Sequence, residues 1–419
     1  MTQPPLKLPE ALTVAQARLR TLANGVKLYT LPCDDFEVLR VTFVFGAGSS
    51  RQTVPFSASA AANLLAEGSH DHSARQIAER LDYLGSWFDV NLDRDYAYIS
   101  FAMLSKFCAE TLDTAREIIL RPAFPEEELR TYCAKRKQRL AIERRKVDVE
   151  AREAFARALF GPEHPYGITY DERLYDSLTR EEVADFYRRH YTAENCFVVC
   201  SGRIGGEEQR LVAAIAEALP HGTPVQPRFP APVTSREERV HHPGAVQSSI
   251  RIGRLLFGRQ HPDFTGMQVV AAALGGYFGS RLMRNLRERN GYTYGVVSAM
   301  VNFERTGYLA IAAQVGTEAT RPALDEIYAE IERLRTDPMP EEELTLVKRI
   351  MAGEMMRILD GPFGIADVTI ENILCGADNS VIGENLRRIE AFTPDDVLHL
   401  ARRYLAREDL VTVVAGDRL

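Results

Sequence analysis

The sequence predicts an α+β protein of two homologous α/β halves, each an antiparallel-rich sheet covered by helices on one face. Three observations predict it. Thr179-Arg-Glu-Glu-Val183 through Gly202 aligns without a gap to Thr393-Pro-Asp-Asp-Val397 through Gly416, at an offset of 214 with seven identities. Pro125-Glu-Glu-Glu-Leu129 recurs as Pro340-Glu-Glu-Glu-Leu344 at an offset of 215, so two independent matches give nearly one period. Short alternating apolar runs, which suit half-buried strands, lie among longer runs with helical spacing.

In chain order, Leu39 to Gly46 reads as a strand. A helix follows near 57–67. Ser73 and Gln76 then form a capping box that opens a helix expected to stop at Gly85. Asp95 to Leu104 reads as the next strand, and Pro125 suits the first turn of a long helix. Thr179 and Glu182 cap another helix, after which a short apolar strand runs to Gly202. His221 to Pro232 is rich in Pro and lacks periodicity, as an extended linker should. The boundaries expected are a first half over 1–222, a linker over 223–236 and a second half over 237–419. In that second half His242 to Leu256 and Tyr308 to Val315 are the strand counterparts, and Pro340 and Thr393 open the repeated helices.

Composition excludes several classes. The 419 residues carry a net charge of −7 with no block of like charge, so neither nucleic acid nor an anionic membrane is an expected partner. The basic stretch Arg130 to Lys146 is flanked by Glu126 to Glu128, and helical spacing spreads its charges over a solvated face. No apolar run reaches the roughly 18 residues that would span a bilayer, and the start resembles no secretory leader, so a cytoplasmic location is expected. The six cysteines form no CxxC pair and read as small core residues. His70-x-His72 has only Asp71 beside it, and His241-His242 precedes Pro-Gly, so both read as loop histidines. Gly275-Gly-Tyr-Phe-Gly279 lacks the full phosphate-loop pattern and reads as a tight turn or peptide-contacting loop.

Asn24-Gly-Val-Lys-Leu-Tyr, Phe45-Gly-Ala-Gly-Ser-Ser and Ser73-Ala-Arg-Gln-Ile resemble the first half of the pitrilysin/insulinase-like inverted-zincin metallopeptidases. Leu274 to Leu282 and Leu286-Arg-Glu-Arg-Asn-Gly-Tyr-Thr-Tyr294 resemble their second half. The resemblance implies a clamshell of two halves and a zinc motif H-x-x-E-H on a helix, whose positions match Ser59, Ala62 and Asn63. None of these supplies an imidazole or a carboxylate, and zinc needs about four N, O or S donors. The third ligand would fall near Arg139 or Leu140, with Glu143 the nearest acid. The edge strand that pairs with substrate in active members is replaced by Asp89, Val90 and Asn91. No metal or other cofactor is therefore expected in this chain.

The second half keeps what the resemblance assigns to it. Arg287 and Tyr294, seven residues apart, match the family's pair that donates to the zinc-bound oxyanion, and Gly275, Gly276, Gly279, Gly291 and Tyr292 match its peptide-binding surroundings. In two-chain, processing-peptidase-like members the zinc-free subunit supplies this pair in trans. The expected partner is a homologous H-x-x-E-H subunit carrying the zinc, with peptides as substrates. The alternative is a catalytically inactive pseudo-peptidase, a homodimer among its forms, with a structural, assembly or peptide-binding role.

Overall fold

In the computed structural model, described over residues 12–223 and 229–417, two sheets with nearly the same plan account for the strands. The central part of the expected linker, 224–228, lies outside the described residues. The first half runs β1 (Arg18–Thr21), β2 (Lys27–Pro32), β3 (Val38–Phe45), α1 (Ser57–Asn63), α2 (Ala74–Tyr83), β4 (Trp87–Leu92) and β5 (Ala97–Leu104). It continues through α3 (Cys108–Leu120), α4 (Glu126–Glu143), α5 (Val147–Phe160), α6 (Arg180–His190), β6 (Cys196–Gly202) and α7 (Gly206–Glu217). The second half runs β7 (Glu237–His241), β8 (Gln247–Leu256), α8 (Phe264–Ala271), β9 (Thr293–Asn302), β10 (Gly307–Gly316) and α9 (Thr320–Thr336). Then come α10 (Glu341–Ile358), α11 (Gly361–Leu374), α12 (Ser380–Ala391), α13 (Pro394–Tyr404) and β11 (Val411–Gly416).

The sheet orders are β1-β2-β6-β3-β5-β4 and β7-β11-β8-β10-β9. In each, the last strand is parallel to the first long one (β6 to β2, β11 to β7) and antiparallel to the next (β6 to β3, β11 to β8). The matching plan puts the duplicated segments, α6–β6 and α13–β11, at equivalent places. Both helices start the same way: the Thr179 and Thr393 hydroxyls accept from the N3 amides while Glu182 and Asp396 reach back to the cap amide.

Two expected elements differ. The helix near 57–67 ends at Asn63, because Leu64 leaves the helical region and residues 64–66 turn back. The strand expected from His242 begins only at Gln247: β7 ends at His241, and residues 242–246 turn the chain from β7 to β8, with Gly244 at a φ of +76°. His242 is also no solvated loop histidine: its Nδ1 lies 2.7 Å from Glu150 of α5, so the turn is tied to the other half.

That tie belongs to a larger exchange. The inner faces of the sheets bury separate cores, the first around Phe43, Phe45 and Phe101, the second around Ile250, Ile311 and Leu334. On the opposite faces the halves trade helices. α5 lies on β8 and β11, where Phe155, Leu159 and Phe160 pack with Val411 and Val413. α11 lies on the first sheet, where Ala366 and Ile370 pack with Leu31, Val44 and Val199. Arg40 of β3 reaches across to Asp367 and stacks over Phe363. Among the described residues no helix is long and apolar enough to cross a membrane.

One buried histidine gives the fold a pH signature. His190, at the end of α6, is 3% exposed and packs on Phe186. Burial, then the positive charges of Arg51 and Arg189, push its pKa from 6.5 to about 4. Between those values the unfolded chain takes up a proton that the folded chain refuses, so stability falls as pH drops through that window. The loss should approach roughly 3 kcal/mol at its acid end. Urea unfolding at pH 7 and pH 4.5 checks this: His190→Gln should flatten the pH dependence relative to the parent chain, and an unchanged slope would assign it elsewhere.

Candidate functional site

The three positions of the absent zinc motif sit on one face of α1, as their i, i+3, i+4 spacing requires. Ser59 Oγ donates to the Phe56 carbonyl at 3.0 Å, Asn63 Nδ2 donates to the Ser59 carbonyl at 2.7 Å, and Ala62 is fully buried. These contacts stay within the first turns of the helix, and Ser59 also meets the phenols of Tyr132 and Tyr175. α1 starts from Phe56 at φ +66°, a strained value for an aromatic residue, held by stacking on Tyr175 at 3.8 Å.

The neighbourhood opposes a cation as well. Arg136 of α4 lies over the Tyr132 ring at 5.6 Å; burial works against its charge, but Tyr132 and Tyr175 outweigh it and keep the guanidinium protonated. Glu143, the nearest acid to the expected third-ligand position, pairs with Arg139 at 2.9 Å, which holds its carboxyl below the usual range. Among the described residues no group of three or more His, Cys, Asp or Glu side chains could hold a metal. A zinc ion does not fit the residues at this place: the donors are wrong in kind and a guanidinium stands beside them. Of the isolated histidines, His72 is held by Glu117 at 2.9 Å, within reach of Arg80.

Asp89, Val90 and Asn91 lie on β4, the outer strand of the first sheet. Its free edge is open, as the sequence comparison assumed, but its side chains are not those of the substrate-pairing strand.

In the second half the site is well built. A short π-helical segment, Met283–Arg289, leads through Gly291 into β9. Gly291 adopts φ +65°, the left-handed value a tight helix-to-strand turn needs, and the Tyr292 amide closes the turn on the Leu286 carbonyl at 2.8 Å. Buried Asn285 fixes the segment to α9, donating to Glu326 and Glu330 at 2.7 Å each. Asn290 in turn donates to Asn285 Oδ1 at 2.7 Å. Arg281 makes a two-pronged contact with Glu343 of α10 at 2.8 and 2.9 Å. The backbone carrying Arg287 is therefore anchored on both sides.

Arg287 itself makes no ion pair with Glu288 or any other acid among the described residues. Its guanidinium lies between two rings, 4.6 Å from that of Phe278 and 4.7 Å from that of Tyr294. Cation–π contact with two rings leaves the N–H groups without an acid or hydrogen-bond acceptor among the described residues, and so available to a ligand. Tyr294 is 88% exposed and Phe278 60%, so the pair stands at the surface with its donors available. The sequence comparison missed Phe278, although an aromatic residue inside a glycine run was a visible clue.

The glycines serve this placement unequally. A Cβ on Gly275 would come within 2.7 Å of the Ser298 amide, so this position needs glycine for the loop to lie against β9. Gly276 and Gly279 are less confined, their nearest contacts being side-chain atoms at 3.2 and 3.1 Å. Tyr292 packs half-buried against the second core, unlike Tyr294. No hydrogen bond, ion pair or ring contact among the described residues joins Arg287 or Tyr294 to Ser59, Ala62 or Asn63.

Residues 177–351 match the family described as the peptidase M16 inactive domain. An uncharacterized zinc protease of Streptomyces coelicolor is 22% identical over 420 residues, covering 96% of this chain and 90% of that protein. One of Mycobacterium tuberculosis is 24% identical over 402 residues, covering 93% of this chain and 91% of that protein. The crystal structure of a peptidase M16 inactive domain from Pseudomonas fluorescens superposes with a TM-score of 0.87 at 23% identity, over 96% of this chain and 98% of that one. A protease from Helicobacter pylori superposes with a TM-score of 0.86 at 16% identity, over 96% of this chain and 100% of that one, and these likenesses concern the fold.

Proposed function

We propose that this chain, whose residues 177–351 match the peptidase M16 inactive domain, is the zinc-free partner subunit of a two-chain zinc peptidase, supplying Arg287 and Tyr294 in trans. The observation that carries this reading is the Arg287 guanidinium held by Phe278 and Tyr294 on an anchored segment, with no ion pair among the described residues. A subunit with a purely structural role has no need of such an arrangement.

Hydrolysis of a peptide bond places negative charge on the former carbonyl oxygen in the tetrahedral intermediate. A zinc ion on the partner would polarise that carbonyl and supply the nucleophile from bound water. This chain's contribution is the opposite wall of the chamber. The guanidinium and the Tyr294 phenol donate to the developing oxyanion, and because both are fixed before substrate arrives they need little reorganisation as the charge appears. The glycine loop around Gly275, Gly276 and Gly279, with Gly291 and Tyr292, would shape the peptide-binding surface beside them.

The alternative, a pseudo-peptidase that only assembles or binds peptides, draws on the altered α1 face, where Arg136 and its tyrosines stand near the absent metal site. Peptide cleavage by this chain mixed with an H-x-x-E-H homologue separates the two. The partner reading expects cleavage in the mixture alone; the structural reading expects none attributable to this chain.

A further inference from the structure

Between α5 and the open part of the second sheet lies a cavity of about 710 Å³ whose lining includes Arg94, Arg144, Arg152 and Arg251, with Glu153 the only acid among its described residues. Arg144 is ion-paired: it meets Glu172 at 2.7 Å, lies 3.5 Å from Glu153 and donates to the Tyr170 carbonyl, although its Nε has no hydrogen-bond acceptor. The other three have no ion pair among the described residues. Arg94 makes one long hydrogen bond, 3.5 Å to the Pro165 carbonyl, and neither Arg152 nor Arg251 has an acid within 4 Å among the described residues. The Nε of Arg251 is buried without an acceptor. Asp148 acts on Arg251 only at longer range, and Arg152 opposes it. Asp95, next to Arg94, is engaged elsewhere, accepting from Ser50, Tyr166 and the Glu304 amide.

Withdrawing a guanidinium from water without a counter-ion is costly, and a cavity that holds two half-buried ones, Arg94 and Arg251, with the exposed Arg152 at its rim is arranged for an anion brought from outside. Burial pulls Arg94 and Arg251 below the usual guanidinium range, as expected for groups short of a partner. The remaining wall is aromatic, with Phe155, Phe303 and Tyr308, so the ligand has an apolar body beside its charge.

The register places the cavity relative to the Arg287–Tyr294 pair. Arg251 pairs with Ala312 and Ala312 with Val297, so the three form one cross-strand row, and all three line the cavity. Two strand spacings separate Arg251 from Val297, about 10 Å. Tyr294 lies three residues up β9 from Val297, a further ~10 Å. The arginine cavity and the Arg287–Tyr294 pair thus share one sheet, a few peptide residues apart.

We propose that this cavity anchors a carboxylate of the bound peptide, either an acidic side chain or the free C-terminus, through Arg94, Arg152 and Arg251. The inference rests on the peptide-handling reading above for the kind of ligand, and it adds a preference: peptides that carry a carboxylate a few residues from the bond to be cut.

Calorimetric titration of the full chain, without a partner or zinc, tests it with three decapeptides of otherwise identical neutral sequence. One is blocked at both ends, one is blocked but contains a single Glu, and one has a free C-terminus. Binding at least tenfold tighter for either carboxylate peptide, with the gap lost in Arg251→Gln and narrowed in the more exposed Arg152→Gln, is the expected result. Whichever form gains identifies the source of the carboxylate. Equal binding of all three, no binding by any, or a gap that survives both substitutions would overturn the proposal. Because the titration needs no second subunit, carboxylate preference in a chain that never activates a zinc-bearing partner would fail the partner reading alone.

Discussion

Replacing Arg287 with alanine is expected to lower the turnover of the assembled peptidase by about 100- to 1000-fold, the usual cost of one preorganised oxyanion donor. Assembly and folding should change little. The side chain is held at the surface by two rings and makes no ion pair among the described residues, so its removal opens no core. Tyr294→Phe is the sharper companion, because it keeps the ring on which Arg287 stacks and removes only the phenolic donor. A drop in kcat with Tyr294→Phe, without a matching rise in KM, assigns the hydroxyl to the transition state. Normal turnover in both variants, measured on complexes of verified 1:1 composition, would remove the pair from the mechanism.

Phe160→Ala should be the most damaging single change to the fold, costing about 3–5 kcal/mol. Phe160 is 1% exposed at the end of α5 and stands in a cluster drawn from both halves. It stacks on His164 and meets Tyr166, Phe303 and Tyr308 edge-on, at centroid distances of 5.1 to 6.1 Å. Such contacts add roughly 0.5–1.5 kcal/mol each beyond area burial. Since α5 and α11 cross between the sheets, the loss should lower the stability of the whole chain in one urea transition. Two separate transitions, with only one of them moved, would show that the halves fold independently.

The parts of this structure written in local chemistry were legible in the sequence. The repeated capping boxes at Thr179 and Thr393, the paired Pro-Glu-Glu-Glu starts and the alternation of Tyr308 to Val315 each depend on neighbours a few residues away. The exchange of α5 and α11 was not legible, because an apolar stripe says that a helix face is buried but not which sheet buries it. For the same reason His242 read as a loop residue: its partner Glu150 is 92 positions away. The absent metal ligands at Ser59, Ala62 and Asn63 could be read from residue types alone. The sandwich on Arg287 required Phe278, nine positions earlier, to fold back over it, and the three unpaired arginines meet only when Arg94, Arg152 and Arg251 are brought together from three elements.

The measurement that tests the central claim most directly is cleavage of a quenched fluorescent peptide library by this chain, by an H-x-x-E-H homologue, and by the two mixed, each with zinc and with a chelator. The proposed role predicts chelator-sensitive cleavage in the mixture far above the sum of the separate chains. Chelator-sensitive cleavage by this chain alone would contradict the reading of α1, and a mixture no more active than its parts would contradict the trans contribution of Arg287 and Tyr294.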